Sequence, residues 1–275
     1  MPFDSPREAC GVFGIYAPGE DVARLTFFGL YALQHRGQES AGIAAADGHE
    51  IRLHTRMGLV NTAFSEEDLA RLPGHIAIGH TRYSTTGGSR QVNAGPFVAR
   101  AESGPVAVSH NGNLVNGENL RRELLERGIP LTSTTDSEAL TWMIALAYGP
   151  DLASRVRQAM ARFVGAYSLA VMTPDALVGV RDPLGIRPLC LGRLNGGWVI
   201  ASETCALATI GATFEREIEP GEIVVIDAQG VRSYPAPEPQ ERQAMCLFEL
   251  IYFARPDSLL MGERLHLVRQ RMGAE

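Results

Sequence analysis

Short apolar segments separated by turn residues run through much of the chain and predict β-strands. The first, CGVFGIY, begins at Cys10 and is apolar throughout, as is typical of a buried strand. The Asp47-Gly48 pair lies between two further segments and predicts a tight hairpin. Strands are also predicted at 75–81 and 105–110. After Gly165 the pattern is almost entirely β, in the segments AYSLAVMT, ALVGVRD, LCLGRL, GWVIAS and EIVVIDAQGVRSY.

Helical spacing or helix-capping residues mark five other segments. They are 21–33, 65–72, 116–127, a segment that starts with the capping box Thr135-Asp136-Ser137-Glu138, and DLASRVRQAMARF. Helices and strands come in groups and do not alternate strictly. This order favours an α+β fold with antiparallel sheets over a doubly wound parallel sheet.

Composition excludes several classes of protein. Among 275 residues, 45% are hydrophobic and no apolar run approaches the ~18 residues that a membrane span needs. A net charge of -6 gives no indication of a nucleic-acid partner. The four cysteines are widely spaced, so a disulfide framework is not expected and a reducing, cytoplasmic location is the default.

Four polar clusters lie at the ends of predicted strands. Glycine occurs in three of them, QHRGQES (34–40), GHTRYST (79–85) and SHNGNLVN (109–116), and the fourth, TSTTDSE (132–138), has none. Each cluster alone is compatible with an ordinary turn, and Cys10 alone is most simply a small buried hydrophobe. Together they indicate the rim of a polar site.

These motifs, with ACGVFGIY, RDPLGIRPL and ASETCAL in the same order, resemble the class II glutamine amidotransferases. The late segment CLFELIYFARPDS favours one branch, the glutaminase half of the amidophosphoribosyltransferases. The resemblance implies a four-layer αββα sandwich of the N-terminal nucleophile hydrolase type, with two antiparallel sheets between helices. It also implies a propeptide at 1–9, a class II glutaminase domain at 10–234, and a linker with the truncated start of a phosphoribosyltransferase domain at 235–275. The proline-rich stretch 235–241 is the best linker candidate in its own right.

The same resemblance implies roles for five residues. Cys10 is the expected nucleophile, and its own α-amine is the expected base once residues 1–9 are removed. Asn111 and Gly112 are the expected oxyanion donors, although an Asn-Gly pair also suits a hairpin turn. Arg82 and Asp136 are expected to bind the α-carboxylate and α-ammonium of glutamine. Their alternatives are an ordinary ion pair for Arg82 and a helix N-cap for Asp136. Arg36 is expected to order the chain around Cys10.

Only the resemblance gives a reason to expect cofactors. In one branch of the family the cysteine that corresponds to Cys246 is one of four thiolate ligands of a [4Fe–4S] cluster. The other three ligands are expected outside this chain, because Cys190 and Cys205 lie in predicted β segments as core residues. Mg²⁺ is expected only with the phosphoribosylpyrophosphate (PRPP)-binding half, whose paired aspartates are absent here, and glutamine hydrolysis requires no cofactor.

The implied activity is hydrolysis of L-glutamine, with the ammonia passed to PRPP to form 5-phosphoribosylamine, the first step of purine synthesis. The expected partners are these two small molecules and further copies of the full-length chain, with neither nucleic acid nor membrane. Two alternatives stay open: the glutaminase domain of another class II amidotransferase, and a catalytically silent regulatory module.

Overall fold

The computed structural model describes residues 10–83, 88–236 and 243–274. Its strands are β1 (Gly11–Tyr16), β2 (Ser40–Ala46), β3 (Ile51–Met57), β4 (Ile76–Arg82), β5 (Phe97–Ala101), β6 (Gly104–Leu114), β7 (Gly165–Met172), β8 (Leu177–Arg181), β9 (Cys190–Leu194), β10 (Gly197–Ala201), β11 (Thr213–Glu217), β12 (Ile223–Asp227), β13 (Gly230–Tyr234), β14 (Leu259–Leu260) and β15 (Glu263–Arg264).

The helices are α1 (Val22–Ala32), α2 (Val60–Ala63), α3 (Glu66–Ala70), α4 (Gly117–Glu126), α5 (Asp136–Leu146), α6 (Leu152–Met160), α7 (Thr204–Thr209) and α8 (Leu265–Ala274). Two 3₁₀ turns, Gln34–Arg36 and Gln91–Asn93, and a π-helical turn, Glu249–Phe253, complete the described elements. Within the described ranges, no helix is both long enough and apolar enough to cross a membrane.

Two antiparallel sheets form the centre of the molecule. The first has seven strands in the order β11-β9-β10-β1-β4-β2-β3, and the second has six in the order β13-β12-β8-β7-β6-β5. Every pairing within these two sheets is antiparallel. A separate two-stranded ribbon joins β14 to β15.

Three apolar clusters hold the layers together. The first packs α1, α2, α3 and α7 on the outer face of the seven-stranded sheet. The second packs α4, α5 and α6 on the outer face of the six-stranded sheet. The third fills the space between the sheets, where side chains such as Ile78 and Met172 are fully buried. The predicted α+β sandwich of four layers, helix-sheet-sheet-helix, is therefore confirmed.

Several local predictions are confirmed in detail. The Asp47-Gly48 turn joins β2 to β3, and Gly48 has the positive φ that such turns favour. At α3 the Ser65 hydroxyl accepts from the Asp68 amide while the Asp68 carboxylate accepts from the Ser65 amide, which is a complete capping box.

Other predictions need correction. At α5 the Thr135 hydroxyl caps the helix, but the Glu138 carboxylate binds Thr132 and Ser133, so the predicted reciprocal box is only half formed. Cys205 lies in helix α7 and not in a β segment, although it is buried in the core as expected. The propeptide prediction falls on residues 1–9, which lie outside the described residues.

Candidate active site

Cys10 lies immediately before β1, near the middle of the seven-stranded sheet, between β10 and β4. The amide of Gly11 donates to the Thr81 hydroxyl at 3.2 Å, and the amide of Val12 donates to the Ser202 hydroxyl at 2.9 Å. The thiol itself donates to the carbonyl of Tyr83 at 3.6 Å. The chain on the C-terminal side of Cys10 is thus fixed by side chains from both neighbouring strands.

The electrostatic surroundings of the thiol disfavour its ionisation. Burial raises the pKa of Cys10 above its usual value. The positive charge of Arg82 opposes this rise and the negative charge of Asp136 adds to it, so both groups lie close enough to act on the sulfur. A thiol with a raised pKa is mostly protonated near neutral pH and needs a base before it can attack.

Asn111 and Gly112 lie in β6 of the opposite sheet, not in a hairpin turn, which removes that alternative. The Asn111 side chain is fully buried, and neither its amide nitrogen nor its oxygen has a hydrogen-bond partner among the described residues. An unpaired buried amide costs about 1–3 kcal/mol, so such a group is typical of a site that a ligand completes.

The backbone at Gly112 accepts only glycine. Its φ is +152°, and a Cβ placed there would lie 2.0 Å from the carbonyl oxygen of Ala166 on β7. The residue type is therefore dictated by close approach of two backbones beside Asn111.

A buried histidine joins the two sheets at this point. His80 pairs with Val12 in the first sheet, and its Nε2 donates to the carbonyl of His110 at 3.0 Å in the second. Burial lowers the pKa of His80 to about 3, so the ring is neutral. Because a carbonyl only accepts, the proton must lie on Nε2. This bond joins β6, the strand that carries Asn111, to β4, which pairs with the strand that follows Cys10.

Arg82 and Asp136 are both buried, and each holds a fixed position. Arg82 ends β4, and one guanidinium nitrogen lies 3.4 Å from the Glu39 carboxylate. Asp136 is the first residue of α5, and its Oδ2 accepts from the amide of Leu114 at 2.8 Å. The N-cap of this helix is Thr135, so the alternative reading of Asp136 as the cap is wrong. Asp136 instead binds the end of β6, and its charge raises the pKa of the Cys10 thiol.

Sequence reasoning missed the acidic partners of Arg36. As expected, Arg36 orders the chain at Cys10: its Nε donates to the Cys10 carbonyl at 3.1 Å. Its other nitrogens bind Glu203 at 2.5 Å and Glu249 at 2.6 and 2.9 Å, and all three side chains are almost completely buried. The signal was a single acid within each of two largely apolar segments, ASETCAL and CLFELIYF. A lone acid in such surroundings has to find a buried cation.

Burial alone would raise the pKa of Glu203, but the charge of Arg36 overcomes that effect and lowers it to about 2. His35 also binds Glu203, at 2.7 Å from its Nε2. The carboxylate is therefore ionised at neutral pH and holds Arg36 in place.

Cys246 lies apart from these residues. It is half-buried on the segment after residue 242, and its amide donates to the carbonyl of Ile186 at 3.1 Å. All four cysteines carry free thiols, and the other three are buried. Between residues 10 and 274, leaving aside 84–87 and 237–242, no cluster of three or more potential ligands could hold a metal ion. The described residues alone therefore do not fit a four-thiolate cluster, and Cys246 as a ligand stays a prediction.

Comparison with known proteins places this chain in a family. Residues 80–209 match the family model described as a glutamine amidotransferase domain. The amidophosphoribosyltransferase of Synechococcus elongatus is 53% identical over 98% of this chain, and that of Mycobacterium tuberculosis is 48% identical over 98%. The chain spans 56% and 52% of these two relatives, respectively.

The solved structure of glutamine phosphoribosylpyrophosphate amidotransferase from B. subtilis, complexed with ADP and GMP, superimposes with a TM-score of 0.89. The two sequences are 38% identical, and the match covers 96% of this chain and 57% of that one. The fold is therefore of the expected N-terminal nucleophile hydrolase type, and the chain belongs to the amidophosphoribosyltransferase family of glutamine amidotransferases.

Proposed function

We propose that this chain hydrolyses L-glutamine to glutamate and ammonia through a γ-glutamyl thioester on Cys10. The observation that carries the proposal is the fully buried amide of Asn111, which has no hydrogen-bond partner among the described residues and lies on β6, a strand in contact with β1. An amide nitrogen with no partner, next to a glycine backbone, is suited to stabilise a developing oxyanion. Arg82 and Asp136 supply one positive and one negative charge, which complement the α-carboxylate and the α-ammonium of a free amino acid.

The reaction follows from the chemistry of these groups. The Cys10 thiol gives its proton to the α-amine of the same residue, and the sulfur attacks the side-chain amide carbon of glutamine. The oxyanion that forms accepts hydrogen bonds from Asn111 and from the Gly112 amide. Its collapse breaks the carbon–nitrogen bond, and the leaving nitrogen takes the proton and departs as ammonia. Water then attacks the thioester, releasing glutamate and restoring the thiol.

Glutamine binding has its own pair of residues. A guanidinium suits the α-carboxylate and a carboxylate suits the α-ammonium. Arg82 lowers and Asp136 raises the pKa of the Cys10 thiol, so both charges act near the sulfur that is to attack glutamine. Because neither charge of glutamine changes during the reaction, both residues contribute mainly to binding.

Residues 1–9 must be removed before Cys10 has a free α-amine. A peptide nitrogen has no basicity, whereas an α-amine titrates at about 7.7–8.0. We therefore propose that maturation cleaves the chain between residues 9 and 10.

The whole-protein activity is part of the same proposal. The relatives' name implies transfer of the ammonia to PRPP, giving 5-phosphoribosylamine for purine synthesis. We also propose a homo-oligomer as the working form of the full-length protein. We assign the PRPP and Mg²⁺ sites to a region that corresponds to the rest of those relatives, and a [4Fe–4S] cluster to Cys246 with ligands from that region. Four free thiols support a cytoplasmic location.

The test is glutamate and ammonia release by the purified 275-residue chain, with its N-terminus read by intact mass. Cys10→Ala is expected to abolish release and leave the unfolding midpoint close to that of the unaltered chain. Cys190→Ala, which removes another buried thiol from β9, is the matched control and should retain activity. Release of ammonia by Cys10→Ala at the rate of the unaltered chain would overturn the proposal.

A further inference from the structure

Glu249 lies on the segment that follows the predicted linker, yet it is buried against the Cys10 end of the sandwich. Its exposed fraction is 0%, and it begins the π-helical turn Glu249–Phe253. The amides of Ala244 and Cys246 donate to the carbonyls of Leu184 and Ile186 at 2.9 and 3.1 Å. The segment therefore packs on the RDPLGIRPL stretch, ahead of the turn that carries Glu249.

A second attachment follows Glu249. The amide of Arg255 and the hydroxyl of Ser258 both donate to the Glu203 carboxylate, each at 2.8 Å. Glu203 also binds Arg36, so one buried carboxylate ties the segment to the residue that contacts Cys10. The segment is thus held on both sides of Glu249.

Glu249 determines the orientation of Arg36. Its two carboxylate oxygens accept from Nη2 and Nη1 of Arg36 at 2.6 and 2.9 Å, and one of them also accepts from Arg187 at 3.1 Å. A guanidinium is planar, so contacts at two of its nitrogens fix the orientation of the plane. The direction in which the Nε–H bond points is then fixed as well. Glu203 contacts Arg36 through Nη1 alone and leaves rotation about that contact open.

We infer that Glu249 is a positioning residue for Cys10, acting through Arg36. The inference rests on the proposed function. The Nε of Arg36 holds the Cys10 carbonyl, which is one bond from the Cα that carries both the thiol and the α-amine. Once residues 1–9 are removed, two hydrogen bonds are the nearest restraints on the backbone of Cys10. One joins Arg36 to the Cys10 carbonyl, and the other joins the Gly11 amide to the Thr81 hydroxyl. The working site therefore includes a residue beyond the predicted boundary at 234.

If Glu249 positions Cys10, its replacement should lower the turnover number without weakening glutamine binding. A shift of the nucleophile by about 1 Å can cost ~10²-fold in turnover, whereas glutamine is bound by Arg82 and Asp136, which do not contact Glu249. Glu249→Gln is expected to lower kcat by about ten- to a hundredfold and to change KM by less than about twofold. A purely structural role would lower stability and leave kcat unchanged in the folded fraction.

The experiment compares Glu249→Gln with Glu263→Gln in the full 275-residue chain. Glu263 also forms an ion pair on the C-terminal segment, with Arg271 at 2.8 Å, but both side chains are exposed. Each mature protein is assayed for glutaminase kcat and KM. The alkylation rates of Cys10 and Cys246 by iodoacetamide are followed by mass spectrometry. An unchanged Cys246 rate shows that the segment stays docked, and a changed Cys10 rate then reports displacement of the nucleophile.

The outcomes separate the two proposals. The inference is supported if Glu249→Gln lowers kcat, retains KM and changes the alkylation rate of Cys10, while Glu263→Gln does none of these. Unaltered kcat and an unaltered Cys10 rate would overturn it. If the unaltered chain releases no ammonia, the proposed function fails, and the Cys10 alkylation rates still decide whether Glu249 positions the thiol. Should Glu249→Gln fold poorly, Glu249→Asp is tested instead, because its shorter side chain keeps the charge but no longer reaches both nitrogens of Arg36. The inference then requires that Glu249→Asp lower kcat and leave KM nearly unchanged.

Discussion

Replacing Glu203 by glutamine should destabilise the fold in a pH-dependent way. The Glu203 carboxylate is almost completely buried and bound to Arg36 at 2.5 Å, and its pKa is lowered from 4.5 to about 2. At 1.36 kcal/mol per pKa unit, this shift corresponds to about 3 kcal/mol of the free energy of unfolding. Breaking one side of a buried ion pair costs about 3–5 kcal/mol by a separate argument, which agrees.

The sign of the pH dependence follows from the direction of the shift. A carboxylate whose pKa is lowered in the folded state stabilises the fold above the unfolded value and loses that effect as pH falls. The difference between wild type and Glu203→Gln should therefore be full at pH 7. It should decrease below about pH 4.5 and be nearly gone at about pH 2.

The assay is urea unfolding of both proteins at several pH values. Glu66→Gln is the matched control, because Glu66 binds Arg24 at the similar distance of 2.6 Å but has an exposed side chain (76%). Exposed pairs contribute little, so this variant should match wild type at every pH. A Glu203→Gln protein as stable as wild type at pH 7, or a difference that grows as pH falls, would refute the reasoning.

Three further predictions concern the site directly. Asn111→Ala should lower kcat by ~10²–10³-fold with little change in KM, whereas Arg82→Ala should mainly raise KM; the same kinetic pattern in both variants would mean that one role is misassigned. Gly112→Ala should yield little folded protein, because its Cβ would meet the Ala166 carbonyl at 2.0 Å; a soluble variant with the wild-type unfolding midpoint would contradict this. The 275-residue chain should contain no stoichiometric iron by mass spectrometry, since Cys246 is the only cysteine outside the core; about four irons per chain would contradict this.

The parts of the fold that were predictable are those encoded in neighbouring residues. The Asp47-Gly48 turn and the Ser65 capping box each depend on contacts between residues no more than five positions apart. Helix α7, in contrast, has six residues, which is too short for helical periodicity to separate it from a strand. Strand β5 carries Arg100 within FVARA and takes its conformation from pairing with β6, a neighbour that local pattern does not reveal.

The site divides in the same way. The polar clusters at strand ends indicated which stretches would be functional, but Cys10 precedes a strand of one sheet and Asn111 lies in the other, where the His80–His110 bond is one of the links between the sheets. This arrangement depends on how the two sheets stack, and here it was expected only because the motifs resemble a known family. The Arg36–Glu249 pair is 213 residues apart in sequence, and nothing local to either residue identifies the other.

The raised pKa of Cys10 bears on why a propeptide would be useful. Even at its ordinary pKa a thiol is only a few per cent ionised at pH 7, and burial raises the pKa of Cys10 further. Burial lowers the pKa of His80 to about 3, so the ring is a poor base for the sulfur near neutral pH. An α-amine on Cys10 is a suitable base, because its pKa lies near neutrality and its position is fixed by the Arg36 contact to the adjoining carbonyl. On the proposed function, cleavage before Cys10 therefore creates the base as well as freeing the nucleophile, and an uncleaved chain has a thiol that stays protonated.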